Sequence, residues 1–423
     1  MRHCFVGFGF GPIQSALFAK LAAESGRFGE IVVGDVDGAL VSALQGYDGG
    51  YAVNVAYADR IAVEIVHGMR LLNLTKADEL AQFREVIGRA TEIVTSLPSV
   101  AFYTRALESV GRRHPCLAVA SLIREGLAHG DAPCMVYTAE NNNHAAEILE
   151  EAVVDGSPGR LRPTQFLNTV IGKMSQVIDT GLLSGSRLGC FADTLAMTAP
   201  RNDELEPIVP DYPRAFLVES FNKILVSKIT LPNFTPGITV FEEKEDLLPF
   251  EEAKLFGHNA IHAVMGFLCK DAGLTTLAEL RAHPSLLEIA RTAFVDEVGV
   301  ALVRKYGSLG DALFTSQGMT AYAEDLLGRM TNPYLADAAD RSVRDPLRKL
   351  GADDRLFGAM RLCLAQGVEP RAFAVAVRAA LRYVETLPEG ASIKTATAMD
   401  AKLAALWGDT CPVAERKKIA QVF

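Results

Sequence analysis

His3-Cys-Phe-Val-Gly7-Phe-Gly9-Phe-Gly11-Pro12, then a helical segment from Ile13 to about Ala23, then Glu30-Ile-Val-Val-Gly34-Asp35: this opening stretch decides the fold. The apolar run from His3 to Val6 is too short for a helix and ends on glycine, which marks a strand. Gly7 and Gly9 permit a tight turn and let a pyrophosphate approach the backbone at a helix N-terminus. The spacing departs from Gly-x-Gly-x-x-Gly: Gly11 comes one place early and Pro12 takes the third glycine's position. Proline can begin a helix, because its missing N–H would be an orphan donor there. Strand, glycine turn, helix, strand and a closing acidic residue form the first unit of a dinucleotide-binding domain. Asp35 is placed to accept hydrogen bonds from the adenosine ribose hydroxyls. Its charge, reinforced by Asp37, repels a 2′-phosphate, so NAD is expected rather than NADP.

Working outward, Tyr51–Ala56 and Ile61–Val66 alternate enough to be extra strands inserted in that domain. Ile93-Val-Thr95 is a further parallel strand ending at a loop with Pro98, which places Thr95 and Ser96 near the nicotinamide ribose. Cys134–Ala139 is a buried strand broken by Glu140-Asn141-Asn142-Asn143, and His144–Ala152 is helical. Short strands are expected at Ala215–Val218 and Lys223–Thr230, while Gly181–Pro213, rich in Gly, Ser and Pro, resists assignment. Past Glu242 the period changes to 3.6, as in the runs 286–295 and 371–382. The fold class expected is α/β: a doubly wound Rossmann-type domain over residues 1–240 and a mainly α-helical domain over 241–423.

A chain of 423 residues is long enough for two cores. Hydrophobic residues make up 49% and charged residues 22%, and the formal net charge is −9. That charge argues against nucleic acid or an anionic membrane as partner, and requires any phosphate site to be a local basic cluster. No apolar run reaches membrane-spanning length, and no signal peptide is visible. Seven cysteines are scattered without metal-ligand spacing. Cys134 and Cys363 sit in apolar runs, as reduced core thiols do. A cytoplasmic protein, monomeric or a small homo-oligomer, with a small-molecule partner and no metal, is expected.

The chemistry is concentrated at Lys254-Leu-Phe-Gly-His-Asn259-Ala-Ile-His262. On a helix, at about 100° per residue, His262 lies roughly 80° around the axis from Lys254 and roughly 60° from Asn259. An amine, an amide and an imidazole on one face of an apolar helix build a site better than a core. A second constellation, Arg341, Arg344, Arg348 and Lys349, is the basic cluster that the negative chain otherwise lacks. Asp345-Pro346 within it has the pattern of an N-cap and first helical residue, adding backbone amides at 347–350.

The Lys-x4-Asn-x2-His spacing resembles the catalytic helix of the polyol-specific long-chain dehydrogenases, the mannitol dehydrogenase family. Gly328-Arg-Met-Thr-Asn332-Pro-Tyr-Leu-Ala-Asp337 and Arg341-Ser-Val-Arg344-Asp-Pro-Leu-Arg348-Lys349 look like its phosphate-using branch. The resemblance implies oxidation of a hexitol phosphate, or of a free polyol or hexonate, with Lys254 as general base. It also implies that Asn141 and Asn259 hold the developing oxyanion and that His262 touches substrate or orients Lys254. Arg341, Arg344, Arg348 and Lys349 would bind the substrate's anion. One departure stands out: where the family commonly has an Asp-Arg pair, this chain has Gly172-Lys173, which leaves open an NAD-binding sensor without turnover.

Overall fold

The computed structural model describes residues 3–105, 118–129, 131–155, 159–179, 205–210 and 212–423, and the backbone of 108–109 and 112–113. Cys116, Cys190 and most of the Gly181–Pro213 stretch lie outside them. Two compact units result, and the second of them includes Pro249–Phe423.

The first unit is built on an eight-stranded sheet. Its strands are β1 (His3–Phe8), β2 (Phe28–Asp35), β5 (Arg70–Asn73), β6 (Glu92–Thr95), β9 (Cys134–Thr138), β10 (Thr164–Ile171), β13 (Ile224–Ser227) and β14 (Phe241–Lys244). A second sheet holds β3 (Tyr51–Ala56), β4 (Ile61–Val66), β11 (Ser175–Asp179) and β12 (Arg214–Glu219), and β7 (Glu108–Ser109) and β8 (Arg112–Arg113) make a separate pair. The main order is β14-β13-β10-β9-β6-β1-β2-β5, parallel except for β10 against β13. The order in which strands are added reverses beside β1, with β2 on one flank and β6 on the other, both parallel to it. That is the switch point at which open α/β sheets form a ligand crevice.

Strand alternation divides the core between the two faces of the sheet. Phe5, Val33 and Val94 pack on one face with Leu17 and Phe18. Val6, Val32 and Ile93 pack on the other with Phe83 and Ile123. The strands expected at Tyr51–Ala56 and Ile61–Val66 are present, but they build the second sheet. The strand expected over Lys223–Thr230 is shorter, Ile224–Ser227, and Phe241–Lys244 pairs with it in parallel, so sheet structure continues past residue 240. Cys4 and Cys134 are buried free thiols here, as Cys269, Cys363 and Cys411 are in the second unit.

From Pro249 onward the chain is helical. Helix Arg371–Glu385 buries Phe373, Ala376, Val377, Ala380 and Val384 and exposes Arg371, Arg378 and Arg382, a period near 3.6. Helix Ala260–Asp271 is buried nearly all round, and Phe267 meets Tyr383 at a ring separation of 5.9 Å. Among the described residues no helix is long and apolar enough to cross a membrane.

Candidate active site

At the switch point of the first unit a cavity of about 700 Å³ opens, lined among others by Gly9, Gly11, Pro12, Asp35, Ser96 and Leu97. Gly9 has φ +82°, and a Cβ there would lie 2.7 Å from the Ser96 carbonyl oxygen, so no other residue fits without strain. A Cβ on Gly11 would meet nothing within 4 Å; its absence leaves room in the cavity. Gly7 is not part of this wall. A Cβ on it would sit 1.9 Å from the Gln14 amide nitrogen, so Gly7 serves strand-to-helix packing. Asp35 Oδ2 accepts the Phe10 N–H at 2.6 Å and Oδ1 accepts the Asp37 N–H at 2.7 Å. Each oxygen retains a further lone pair for a ligand hydroxyl. Thr95, expected beside the cofactor, is fully buried, and its hydroxyl donates to Glu140 at 2.9 Å. Ser96 and Leu97, one and two residues on, form the cavity wall instead.

Glu140 carries no role in the sequence-based expectation, yet it organises this wall. Its carboxylate accepts from Thr95, from the Tyr103 hydroxyl and from the Leu97 N–H at 2.8 Å. Burial raises its carboxyl pKa against the pull of those donors. Asn141 is exposed just beyond β9, while Asn142 accepts from the His144 N–H at 2.8 Å and takes the turn-forming role. Lys173 is buried: its ammonium donates to the Phe221 carbonyl at 2.9 Å, to Asn222 at 2.7 Å and to the Glu219 carbonyl. The Gly172-Lys173 departure therefore places a cation on the chain's own acceptors.

In the second unit Lys254 and Asn259 lie on a π-helical turn, Ala253–Asn259, between helices Leu248–Glu252 and Ala260–Asp271. This changes the geometry expected from an uninterrupted α-helix. Five α-helical residues would set Lys254 and Asn259 roughly 140° apart. The i→i+5 bonding of a π turn stacks residues five apart instead. From Asn259 to His262 the helix is α, and roughly 60° separates them. Lys254 is half-buried; burial first, then the Arg355 guanidinium, pull its pKa down from 10.5 to about 8. Burial, with Arg329, His262 and Lys254 adding to it, holds neighbouring His258 well below the usual imidazole range.

His262 Nε2 lies 2.7 Å from Asp337 Oδ2 and 3.1 Å from Ser342 Oγ. Gly266, one turn along the same helix, allows this approach, since a Cβ there would lie 2.6 Å from Ser342 Cβ. Asp337 is fully buried and its other oxygen accepts from Arg341 Nη1 at 2.7 Å. Burial favours the protonated acid, but the His262 and Arg341 charges outweigh it and bring the carboxyl to about 2.

The four basic residues expected to act together separate into different surroundings. Arg341 joins Asp337, and the Arg344 side chain is exposed. Arg348 is exposed, 3.7 Å from Asp345 and 3.8 Å from Asp354. Lys349 is buried, donates to the Arg344 carbonyl, and is pulled to a pKa of about 8 by burial, then by Arg355 and Arg348. Buried Arg355, absent from the sequence expectation, thus acts on both Lys254 and Lys349. The expected N-cap at Asp345 does not form: its backbone is left-handed at φ +52°, which takes the carboxylate off the helix amides, and helix Pro346–Lys349 spans four residues.

A glycine turn and a closing carboxylate at the switch point of a parallel sheet form the architecture in which dinucleotides bind. Residues 246–412 match the mannitol dehydrogenase C-terminal domain. The chain is 28% identical over 383 residues to a mannitol-1-phosphate 5-dehydrogenase of Pseudarthrobacter chlorophenolicus, covering 90% of this chain and 85% of the relative. The Bacillus licheniformis protein of that name is 27% identical over 377 residues, covering 89% and 86%. Among solved structures, a D-sorbitol dehydrogenase in substrate-free form shares the fold with a TM-score of 0.69 at 13% identity, over 99% of this chain and 91% of the other. A Pseudomonas fluorescens mannitol 2-dehydrogenase, solved with NAD and D-mannitol, gives 0.64 at 14%, over 100% and 92%.

Proposed function

We propose that this protein is an NAD-dependent polyol-phosphate dehydrogenase of the mannitol-1-phosphate 5-dehydrogenase type. It would interconvert a hexitol phosphate and a ketose phosphate such as fructose 6-phosphate. NAD fits the first unit: the cavity holds a glycine turn and, at the end of β2, the Asp35 carboxylate, whose charge repels a 2′-phosphate. When bound, NAD supplies the hydride acceptor. Lys254, as the free amine, takes the hydroxyl proton from the carbon that loses hydride. Asn259 and Asn141 donate hydrogen bonds to the alkoxide-like oxygen, and His262 contacts a substrate hydroxyl. In this scheme lysine and two amides supply the polarisation, and no metal is invoked.

The observation that carries the proposal is Lys254 on the π turn, aligned with Asn259 and brought to a pKa of about 8. A nucleotide sensor would have no use for an unprotonated amine. Phosphate enters through buried Lys349 and Arg355, cations whose desolvation an anionic ligand would offset. The test is NADH oxidation across ketoses, ketose phosphates and ketohexonates. A phosphate requirement supports the proposal. Equal rates on free ketoses would move an unphosphorylated polyol to first place, and NADH binding without turnover on any of them would leave a sensor.

A further inference from the structure

Asp337 is a charged group sealed from solvent; one oxygen is committed to His262, which contacts substrate in the proposal above, and the other to Arg341, one of the four basic residues the sequence analysis expects at an anion. Oδ2 stands 2.7 Å from His262 Nε2 and Oδ1 stands 2.7 Å from Arg341 Nη1, while His262 and Arg341 remain 18% and 28% exposed. An ionised carboxylate only accepts, so the proton of a neutral His262 must lie on Nε2. The Ser342 hydroxyl, 3.1 Å from Nε2, donates to the Ala338 carbonyl at 3.2 Å, so it leaves the Nε2 proton to Asp337. Nδ1 is then the imidazole's lone-pair acceptor. The backbone was bent to deliver this carboxylate: Ala336, immediately before it, is left-handed at φ +46°.

We propose that Asp337 is a positioning residue that fixes His262 in the Nε2–H tautomer and holds Arg341 beside it. The pair thereby offers a substrate one acceptor, Nδ1, and one guanidinium. That substrate role rests on the polyol dehydrogenase assignment; the tautomer does not. In Asp337→Asn the Arg341 donor demands the amide oxygen, which turns the NH2 toward Nε2. The ring must then accept at Nε2 and carry its proton on Nδ1, so the acceptor is lost.

Two measurements test this on the full-length protein. Long-range 15N–1H correlation spectra of histidine-labelled protein at pH 9, with His262 assigned by its loss in His262→Gln, should show Nε2–H in the native protein and Nδ1–H in Asp337→Asn. A native Nδ1–H tautomer, or no change in the variant, overturns the proposal whether or not the protein turns over any polyol. If Asp337→Asn does not fold, the native spectrum still decides. In kinetics, Asp337→Asn should lower kcat/KM on the order of 100-fold, and less than about threefold when introduced into His262→Ala, because the amide oxygen still holds Arg341 and the part that runs through His262 has nothing left to lose. Equal losses in both backgrounds would mean a purely structural carboxylate. Absence of turnover in the native protein with the Nε2–H tautomer intact would remove the dehydrogenase assignment and leave the positioning role standing.

Discussion

Lys254 must lose its proton before it can act as a base, and the structure says how far its pKa has moved. Burial and Arg355 bring it from 10.5 to about 8. At pH 7 an ordinary lysine is unprotonated in roughly one molecule in 3,000, and a lysine of pKa 8 in roughly one in 11, a gain of about 300-fold in competent base. The sign follows directly: kcat/KM for polyol oxidation should rise tenfold per pH unit up to about 8 and then level off, whereas ketose reduction, which needs the ammonium, should fall above it. Arg355→Met removes a like charge and should move the limb upward by on the order of one unit. Lys349 shares a pKa of about 8, so Lys349→Met is the control that should leave the limb in place. The same shift has a stability side. Below pH 8 the folded state bears the full strain of the desolvated ammonium, about 3 kcal/mol at most, relieved as pH climbs from about 8 to 10.5. Lys254→Met should therefore raise the melting temperature at pH 7 while abolishing turnover and leaving NADH binding intact. An acid limb near 10 in the native enzyme, or a Lys254→Ala variant with near-normal kcat at neutral pH, would refute the assignment.

Four further outcomes follow from the geometry. Asp35→Ser should relax discrimination toward NADP(H), and comparable use of both cofactors by the native protein would count against the role of this carboxylate. Gly9→Ala, forced to φ +82° with its Cβ 2.7 Å from a carbonyl oxygen, should cost roughly 1–3 kcal/mol of stability and weaken NADH binding, read by melting and fluorescence titration. Lys349→Met should lower kcat/KM roughly 10- to 150-fold on a phosphorylated ketose and barely on its free counterpart, while exposed, carboxylate-flanked Arg348→Ala costs less; equal harm to both substrates would exclude a phosphate contact. Asp337, held at about 2, stabilises the fold fully above pH 4 and loses that contribution as pH falls toward 2, so Asp337→Asn should flatten the melting temperature's fall over that interval.

What the sequence discloses is what local chemistry decides. The glycines between β1 and the following helix, and Asp35 at the end of β2, are readable because each is a conformational or charge requirement met within a few residues. The C-terminal helices are readable by period. Other features depend on residues far apart in the chain. Arg70–Asn73 is a four-residue edge strand recognisable only once β2 is beside it. Glu140 draws its meaning from Thr95 and Leu97, and Lys173 from a carbonyl at Phe221. Thr95 was expected at the cofactor because it ends a strand at the right edge; which way it points is set by strand parity, and its neighbour Ser96 faces the cavity.

The two largest differences share one cause. A helix carrying Lys254, Asn259 and His262 admits both α and π continuations, because no residue type demands the extra residue in a turn; Phe294 contacts Gly257, where a Cβ would come within 2.9 Å, and such tertiary packing selects between them. Likewise four cations within nine residues look like one anion site, but charges close in sequence are only candidates for charges close in space. Buried Asp337 claims Arg341, solvent claims Arg344, and Arg355 enters from the next helix to stand with Lys349 and act on Lys254. A cation that lowers the pKa of the base and a cation that binds the substrate's anion can then be the same residue. Binding of a phosphate near Arg355 would partly cancel the field it imposes on Lys254, so the pH limb of kcat in the substrate complex should lie above the limb of kcat/KM for free enzyme, and an unphosphorylated polyol should show no such separation. Coincident limbs with a phosphorylated substrate would place the phosphate away from Arg355.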